Sequence, residues 1–399
     1  MRRTSRISLV CTCAALIGLL SGCGVEGTPT AAEIDVRTLD VGPYPVDRHS
    51  YDTTAGDKGA LVEGMRMSAV VVPSVDIDPS LTVGAGGRVV EDSAEATRRL
   101  LAGVSKPALD DNEMIVGYVA AGSDRPTDGE GAAQATTVTD LVMRFPDETK
   151  AARAAQQLED VDFAVAPDLN RKLTLPEHPE ALVHYRPGVP TVGAFMPYRQ
   201  FVISLFIQRP KSEPDDLLTW VRKTLDAQVA ALDTFQPTPQ RDLGRLPVDP
   251  DGLLARAVVR DRTNRVPDQT DFATYAPPAF VHIAADEAQR RQLVDETGLN
   301  SLAIADDSSV LRVRDSEAGA RLIDGLITTS GPQYDPTEAS APVPGAKCLA
   351  RNSSGDTNSD SRFRCYVPYR EYVQVVNADD RGDMNHRVAA AYALLANSF

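Results

Sequence analysis

The chain repeats itself, and that repeat constrains its fold more than any other feature. Val142-Met-Arg-Phe-Pro-Asp147 is echoed by Val310-Leu-Arg-Val-Arg-Asp315, and both run into helix-forming stretches that carry Arg153 and Arg321 at matching places. Farther along, Met196-Pro-Tyr-Arg-Gln-Phe-Val202 is echoed by Val367-Pro-Tyr-Arg-Glu-Tyr-Val373. The offsets are 168 and 171 residues and the order is kept, so one duplication with a small change in length accounts for both. The expected fold class is α+β: two similar lobes, each a mainly antiparallel sheet packed by helices. Pro237, Pro239, Pro247 and Pro250 place the boundary within 236–251.

The period of the apolar residues fills in the lobes. Strands are predicted at 114–121, 136–145, 172–175, 181–185 and 193–207, and helices at 61–69, 94–101 and 147–158. A longer helix, capped by Ser212, carries Leu218, Val221, Leu225, Val229 and Leu232 on one face. Lobe two repeats the order, with helices at 284–297, 316–326 and 384–396, strands at 301–304 and 310–313, and a polar loop at 329–345. Leu39 to Pro45, rich in proline and glycine, is expected to run extended across the first lobe.

The start of the chain says where the body resides. Arg2, Arg3 and Arg6 precede an apolar run from Ile7 to Leu20, the charged-then-apolar layout of a secretory signal. That run is short of the roughly 20 residues that span a bilayer. Leu20, Ser21 and Gly22 lead directly to Cys23, a pattern that resembles the processing site of bacterial lipoproteins. The resemblance implies cleavage before Cys23, a diacylglyceryl group on its thiol and a further acyl chain such as palmitate on its amine. The predicted organisation is a signal peptide at 1–22, a flexible tether at 23–35, an N-terminal lobe at 36–240 and a C-terminal lobe at 241–399. The expected location is the outer face of the plasma membrane, lipid-anchored.

Charge and cysteine count narrow the partners. Without residues 1–22 the chain carries 38 basic and 56 acidic side chains, a formal charge of −18, which opposes nucleic acid. Cys11 and Cys13 leave with the signal, so Cys348 and Cys365 remain and are expected to pair in an oxidising compartment. On the repeat they fall where lobe one has Val183 and Ala194.

Motifs for chemistry are sparse. His49, His178, His184, His282 and His386 are scattered, with no metal-binding spacing, nucleophile elbow or P-loop. Gly84-Ala-Gly-Gly87 lacks the context of a dinucleotide fingerprint. Asp356 to Asp360 and Asp124 to Gly129 resemble calcium loops but lack the turn glycine or the closing glutamate. Arg381-Gly-Asp383 is expected to open the last helix with Asp383 as its cap. The repeated Pro197-Tyr198-Arg199 and Pro368-Tyr369-Arg370 read as bends between strands. No catalytic residue, metal or cofactor is predicted, and the chain leans away from enzyme activity.

With the lipobox, the duplication and the cysteine pair together, the chain resembles a family of two-domain, domain-of-unknown-function lipoproteins of the mycobacterial and nocardial cell envelope. The passages that carry the likeness are Leu39 to Pro45, Arg144-Phe-Pro-Asp147 and Leu246-Pro-Val-Asp-Pro-Asp-Gly-Leu-Leu254. A fainter likeness is to the extracellular sensor domains of mycobacterial serine/threonine kinases. The expected function is a non-catalytic binding or accessory protein that takes an envelope lipid, glycan or protein in the groove between the lobes. The alternatives are a hydrolase of envelope components and a protein-interaction scaffold.

Overall fold

The computed structural model describes residues 33–399 apart from Ser340 and Ser359. Cys23 and the lipobox lie outside the described residues. Ile34 to Phe399 form one compact unit. Lobe one holds strands β1 Val83–Val90, β2 Val116–Ser123, β3 Thr137–Arg144, β4 Arg171–Leu173, β5 Leu182–Tyr185, β6 Thr191–Tyr198 and β7 Phe201–Gln208. Its helices are α1 Gly59–Met67, α2 Ser74–Ile77, α3 Ser93–Arg99, α4 Lys106–Asp111, α5 Glu148–Phe163 and α6 Pro214–Leu232. Lobe two holds β8 Phe272–Tyr275, β9 Ser301–Ala305, β10 Ser308–Arg312, β11 Tyr334–Thr337, β12 Lys347–Arg351, β13 Phe363–Tyr369 and β14 Tyr372–Ala378. Its helices are α7 Pro277–His282, α8 Glu287–Thr297, α9 Ser316–Thr328 and α10 Arg381–Asn397.

The two sheets have one topology. Their orders, β1-β2-β3-β7-β6-β5-β4 and β8-β9-β10-β14-β13-β12-β11, correspond strand for strand, and the pairs are antiparallel. The fold is therefore α+β, as the repeat predicts. Both faces of each sheet are packed. In lobe one, α1 and α6 cover one face and α3, α4 and α5 the other; in lobe two, α10 covers one and α7, α8 and α9 the other. Two covered faces explain why β7 reads as nearly continuous apolar residues. The repeated Tyr-Arg marks the matching hairpins, with Tyr198 opposite Phe201 and Tyr369 opposite Tyr372. Arg199 and Arg370 take φ of 50° and 52° to close these two-residue turns. Cys348 and Cys365 stand opposite each other in β12 and β13 and are bonded, at the register that Val183 and Ala194 hold in β5 and β6.

Several expectations fail for physical reasons. The glycine-rich stretch is strand β1, which propensity disfavours. It is glycine because lobe two presses on it: a Cβ at Gly84 would lie 2.1 Å from the Ala284 carbonyl oxygen, and one at Gly87 2.6 Å from His282. The predicted loop at 329–345 contains β11. The helix cap at Ser212 is wrong, since α6 begins on Pro214 and the Ser212 hydroxyl accepts from Gly188 N–H instead. Asp383 is not a cap either: Asp380 caps α10 by accepting from the Asp383 N–H. Leu39 to Pro45 does not cross lobe one. Leu39 and Tyr44 pack with Leu254, Val258, Val388 and Tyr392 in lobe two.

That arm is locked by one carboxylate. Asp383 accepts from Tyr44 Oη at 2.7 Å, Arg260 Nη2 at 2.8 Å and Arg387 Nε at 2.9 Å. These donors hold its carboxyl below the ordinary range although burial opposes them. Asp383→Asn removes the charge that three donors share, so a loss of about 2–3 kcal/mol in unfolding free energy is expected by urea denaturation. An unchanged midpoint would show that the arm is not fastened there.

Candidate functional site

The expected groove between the lobes is filled where β1 meets lobe two. Glu287 N–H donates to the Thr82 carbonyl at 2.8 Å, and Gly84 N–H to that of Ala285 at 3.3 Å. His282 is fully buried, with Nδ1 3.2 Å from Tyr118 Oη and Nε2 3.0 Å from the Val71 carbonyl oxygen. Burial pushes its pKa down to about 4, so it is neutral and serves the packing of the seam. A cleft of about 360 Å³ in lobe two is lined by Arg265, Asp268 and Phe272 among others. Its arginines are already engaged: Arg265 holds Asp306 by two bonds and Arg260 holds Asp383.

The sequence motifs also resolve into structure. Asp383 of the Arg-Gly-Asp tripeptide is occupied by the arm. In the Asp356–Asp360 loop, Asn358 N–H donates to Asp356 Oδ1, and Arg351 donates to the backbone carbonyls of Asp356 and Asp360, so the loop is held as a turn by its own bonds. Asp124 accepts from Thr136 N–H and Arg125. Among the described residues no group of three or more His, Cys, Asp or Glu side chains is arranged to hold a metal, and no helix is long and apolar enough to cross a membrane.

A different cluster is built on lobe one. Helix α5, capped by Asp147, buries Ala151, Ala154, Ala155 and Leu158 at spacings of three and four. Glu159 falls on the same stripe and is fully buried. Its Oε2 pairs with His184 Nδ1 at 2.7 Å, while Oε1 has no hydrogen-bond partner and lies 3.7 Å from Lys172 Nζ. One turn on, Asp162 Oδ2 stands 3.6 Å from His184 Nε2, and burial raises the Asp162 pKa. The Glu159 contact occupies Nδ1 and leaves Nε2 as the ring nitrogen that faces Asp162. Phe163 stacks edge-on to His184 and lies under Lys172.

Strand pairing sets this imidazole in a row. His184 is opposite Gly193, Gly193 opposite Phe206, and Phe206 opposite Thr139, so all four side-chain positions share one face. Strands about 4.8 Å apart put His184 and Phe206 about 10 Å from each other, with bare glycine between. A Cβ at Gly193 would meet His184 and Asp162 at ordinary contact distances of 3.7–3.9 Å. Phe206 is 51% exposed although it sits in a central strand. Val165 and Leu169 beyond α5 and Val189 in the β5–β6 turn are exposed at the same end of the lobe.

Lobe two supplies the control. The matching caps Asp147 and Asp315 align Glu159 and Asp162 with Ile327 and Ser330. The matching strand registers align His184 with Leu349, Gly193 with Arg364 and Phe206 with Asn377. In lobe two Arg364 Nε donates to Asn377 Oδ1 at 3.2 Å across the position left bare in lobe one. The fold thus accepts apolar residues where lobe one keeps a buried acid and a histidine. Of these residues sequence reasoning named only His184, as one of several scattered histidines. A position-by-position comparison of the two repeats holds the signal for the rest.

A second buried acid belongs to the core. Asp140 lies between Ala120 and Leu205 of the flanking strands with neither carboxyl oxygen hydrogen-bonded, and burial pushes its pKa up to about 8.

Two outcomes are expected. Replacing the cluster by its lobe-two counterparts, Glu159→Ile with Asp162→Ser and His184→Leu, keeps the fold with stability within about 1 kcal/mol of the natural chain, whereas His184→Leu alone costs about 3 kcal/mol by leaving Glu159 without its donor. Urea melts of both decide whether the cluster is structural. For Asp140, the folded state holds a proton that the unfolded chain releases between pH of about 4 and 8, so its contribution to stability falls as pH rises through that window. Asp140→Asn flattens this slope in melts taken from pH 4 to 8, and an unaltered slope would contradict the assignment.

Comparison with known proteins adds a family and little else. Models of the N-terminal and C-terminal parts of DUF7373, domains of unknown function, match residues 50–248 and 253–398, one per sheet. No curated protein matches the chain. Among solved structures, the extracellular domain of PknH from Mycobacterium tuberculosis aligns with 40% of this chain and 93% of its own at 13% identity and a TM-score of 0.29. A likeness of that size carries no argument.

Proposed function

We propose, for a chain that belongs to the DUF7373 family, the role of an exported, lipid-anchored accessory protein of the cell envelope that binds its ligand on lobe one, along the row that runs from the buried His184 to the exposed Phe206. The observation that carries the binding reading is the difference between the lobes. A duplicated fold keeps the same scaffold twice, yet only one copy maintains Glu159, Asp162 and His184 beside an unfilled glycine position. Burying a carboxylate and an imidazole costs stability unless something is gained. The anchor reading rests on Leu20, Ser21, Gly22 and Cys23, and the ligand is an envelope lipid, glycan or protein.

The reading is non-catalytic because both ring nitrogens of His184 face carboxylates, Glu159 at 2.7 Å and Asp162 at 3.6 Å, instead of standing beside a hydroxyl or thiol that the ring could activate. One observation favours a hydrolase instead. Glu159 holds the ring by Nδ1 and leaves Nε2 toward Gly193, the arrangement of a general base that activates water. Release of p-nitrophenol from simple esters or glycosides, abolished by His184→Gln, would favour that second reading.

The test uses full-length protein made in a host that lipidates exported proteins. Mass analysis of the N-terminal peptide is expected to find Cys23 as residue one with acyl chains, and Cys23→Ser to move the protein into the soluble fraction. Native mass spectrometry of the membrane-extracted protein is expected to show a bound species that the Glu159→Ile, Asp162→Ser, His184→Leu variant lacks. An intact leader would remove the anchor, and an identical bound species in the variant would remove the site.

A further inference from the structure

We infer that the ligand held between His184 and Phe206 is the ring of a neutral saccharide; this rests on the binding reading above and names its chemistry. The row offers two unlike walls one glycine apart. On one side Phe206 exposes a phenyl face in mid-sheet, with only Gly193 and Thr139 beside it on neighbouring strands. On the other, His184 Nε2 and the Asp162 carboxylate form a hydrogen-bonding edge. A sugar ring has the same division: one face of C–H groups that stacks on an aromatic and a rim of hydroxyls that both donate and accept. Asp162 accepts, the imidazole takes either role, and the Thr139 hydroxyl lies on the far side of Phe206. The strands that bear the walls are about 10 Å apart, and the imidazole and the Asp162 carboxylate lean to within 3.7–3.9 Å of a Cβ at Gly193, so a ring stacked on Phe206 would bring its rim of hydroxyls against that polar edge.

The charges argue against other occupants. A phosphate would meet Asp162 and the buried Glu159, while Lys172, the cation at this edge, already faces Glu159. An acyl chain would need a continuous apolar channel, and here the polar atoms of His184 and Asp162 reach Gly193 on the strand next to Phe206. Lobe two shows the closed form of the same place, with Arg364 and Asn377 bonded across it.

The experiment is saturation-transfer-difference NMR on the detergent-solubilised full chain. The probes are the methyl glycosides of glucose, galactose, mannose and N-acetylglucosamine, with glucuronic acid as the charged comparison. Phe206→Ala removes the stacking wall at an exposed position. Gly193→Leu fills the gap from a site where a Cβ makes only ordinary contacts, so both variants are expected to fold, checked by thermal melts. The expected result is saturation of ring C–H protons of at least one neutral glycoside, reduced about tenfold or more by each variant and absent for glucuronic acid. No saturation with any glycoside, or saturation unchanged by both variants, overturns the assignment. If the species seen by native mass spectrometry is not a saccharide yet is lost in Gly193→Leu, the sugar assignment fails while the binding reading stands; if it persists in Gly193→Leu, both fail.

Discussion

The pairing of β6 with β7 fixes the middle of the row, where Gly193 and Phe206 meet. Gly193 faces the solvent side only because it stands opposite Phe206, and Phe206 does so only because Ile203, Leu205 and Ile207 alternate with it into the opposite core. A slip of one residue would exchange the two faces, driving Phe206 inward and a leucine out. The register is pinned at the hairpin, where Arg199 takes a left-handed conformation and bonds Asp233 at the end of α6. The Tyr-Arg repeat is thus a register device present in both lobes, and the chemistry of lobe one rides on it five register positions away.

The same register in lobe two makes the chain its own comparison. A buried carboxylate beside an imidazole is costly, because both give up water and only good geometry recovers the loss. The second copy avoids that cost with Ile327 and Leu349 and spends its equivalent of Gly193 on an arginine that ties two strands together. It also carries the bond between Cys348 and Cys365 where lobe one relies on Val183 and Ala194. One copy has moved toward cohesion, the other toward an open and polar face.

Much of this was legible in the amino-acid order. The duplication and the stripe of α6 follow from the spacing of apolar residues and the echoed passages. What stayed hidden depends on partners far away in the chain. Strand β1 is spelled with glycines because lobe two presses on it, a reason invisible locally. Leu39 and Tyr44 looked like neighbours of lobe one by sequence and belong to α10 by packing. The site was hidden for the same reason: Glu159, His184, Gly193 and Phe206 sit on α5, β5, β6 and β7 and meet only through the sheet. Isolated, each has an ordinary explanation.

The arm that precedes lobe one in sequence yet fastens to lobe two has a mechanical consequence. Tension entering the body at Ile34 is taken up by lobe two, first where Val36 and Leu39 pack on its core and Asp40 faces His386, then at Tyr44, which bonds Asp383 in the last helix. The load path therefore runs through the half that the disulfide reinforces. Lobe one hangs outside that path, so a pull on the chain's front end would leave the geometry around Gly193 undisturbed.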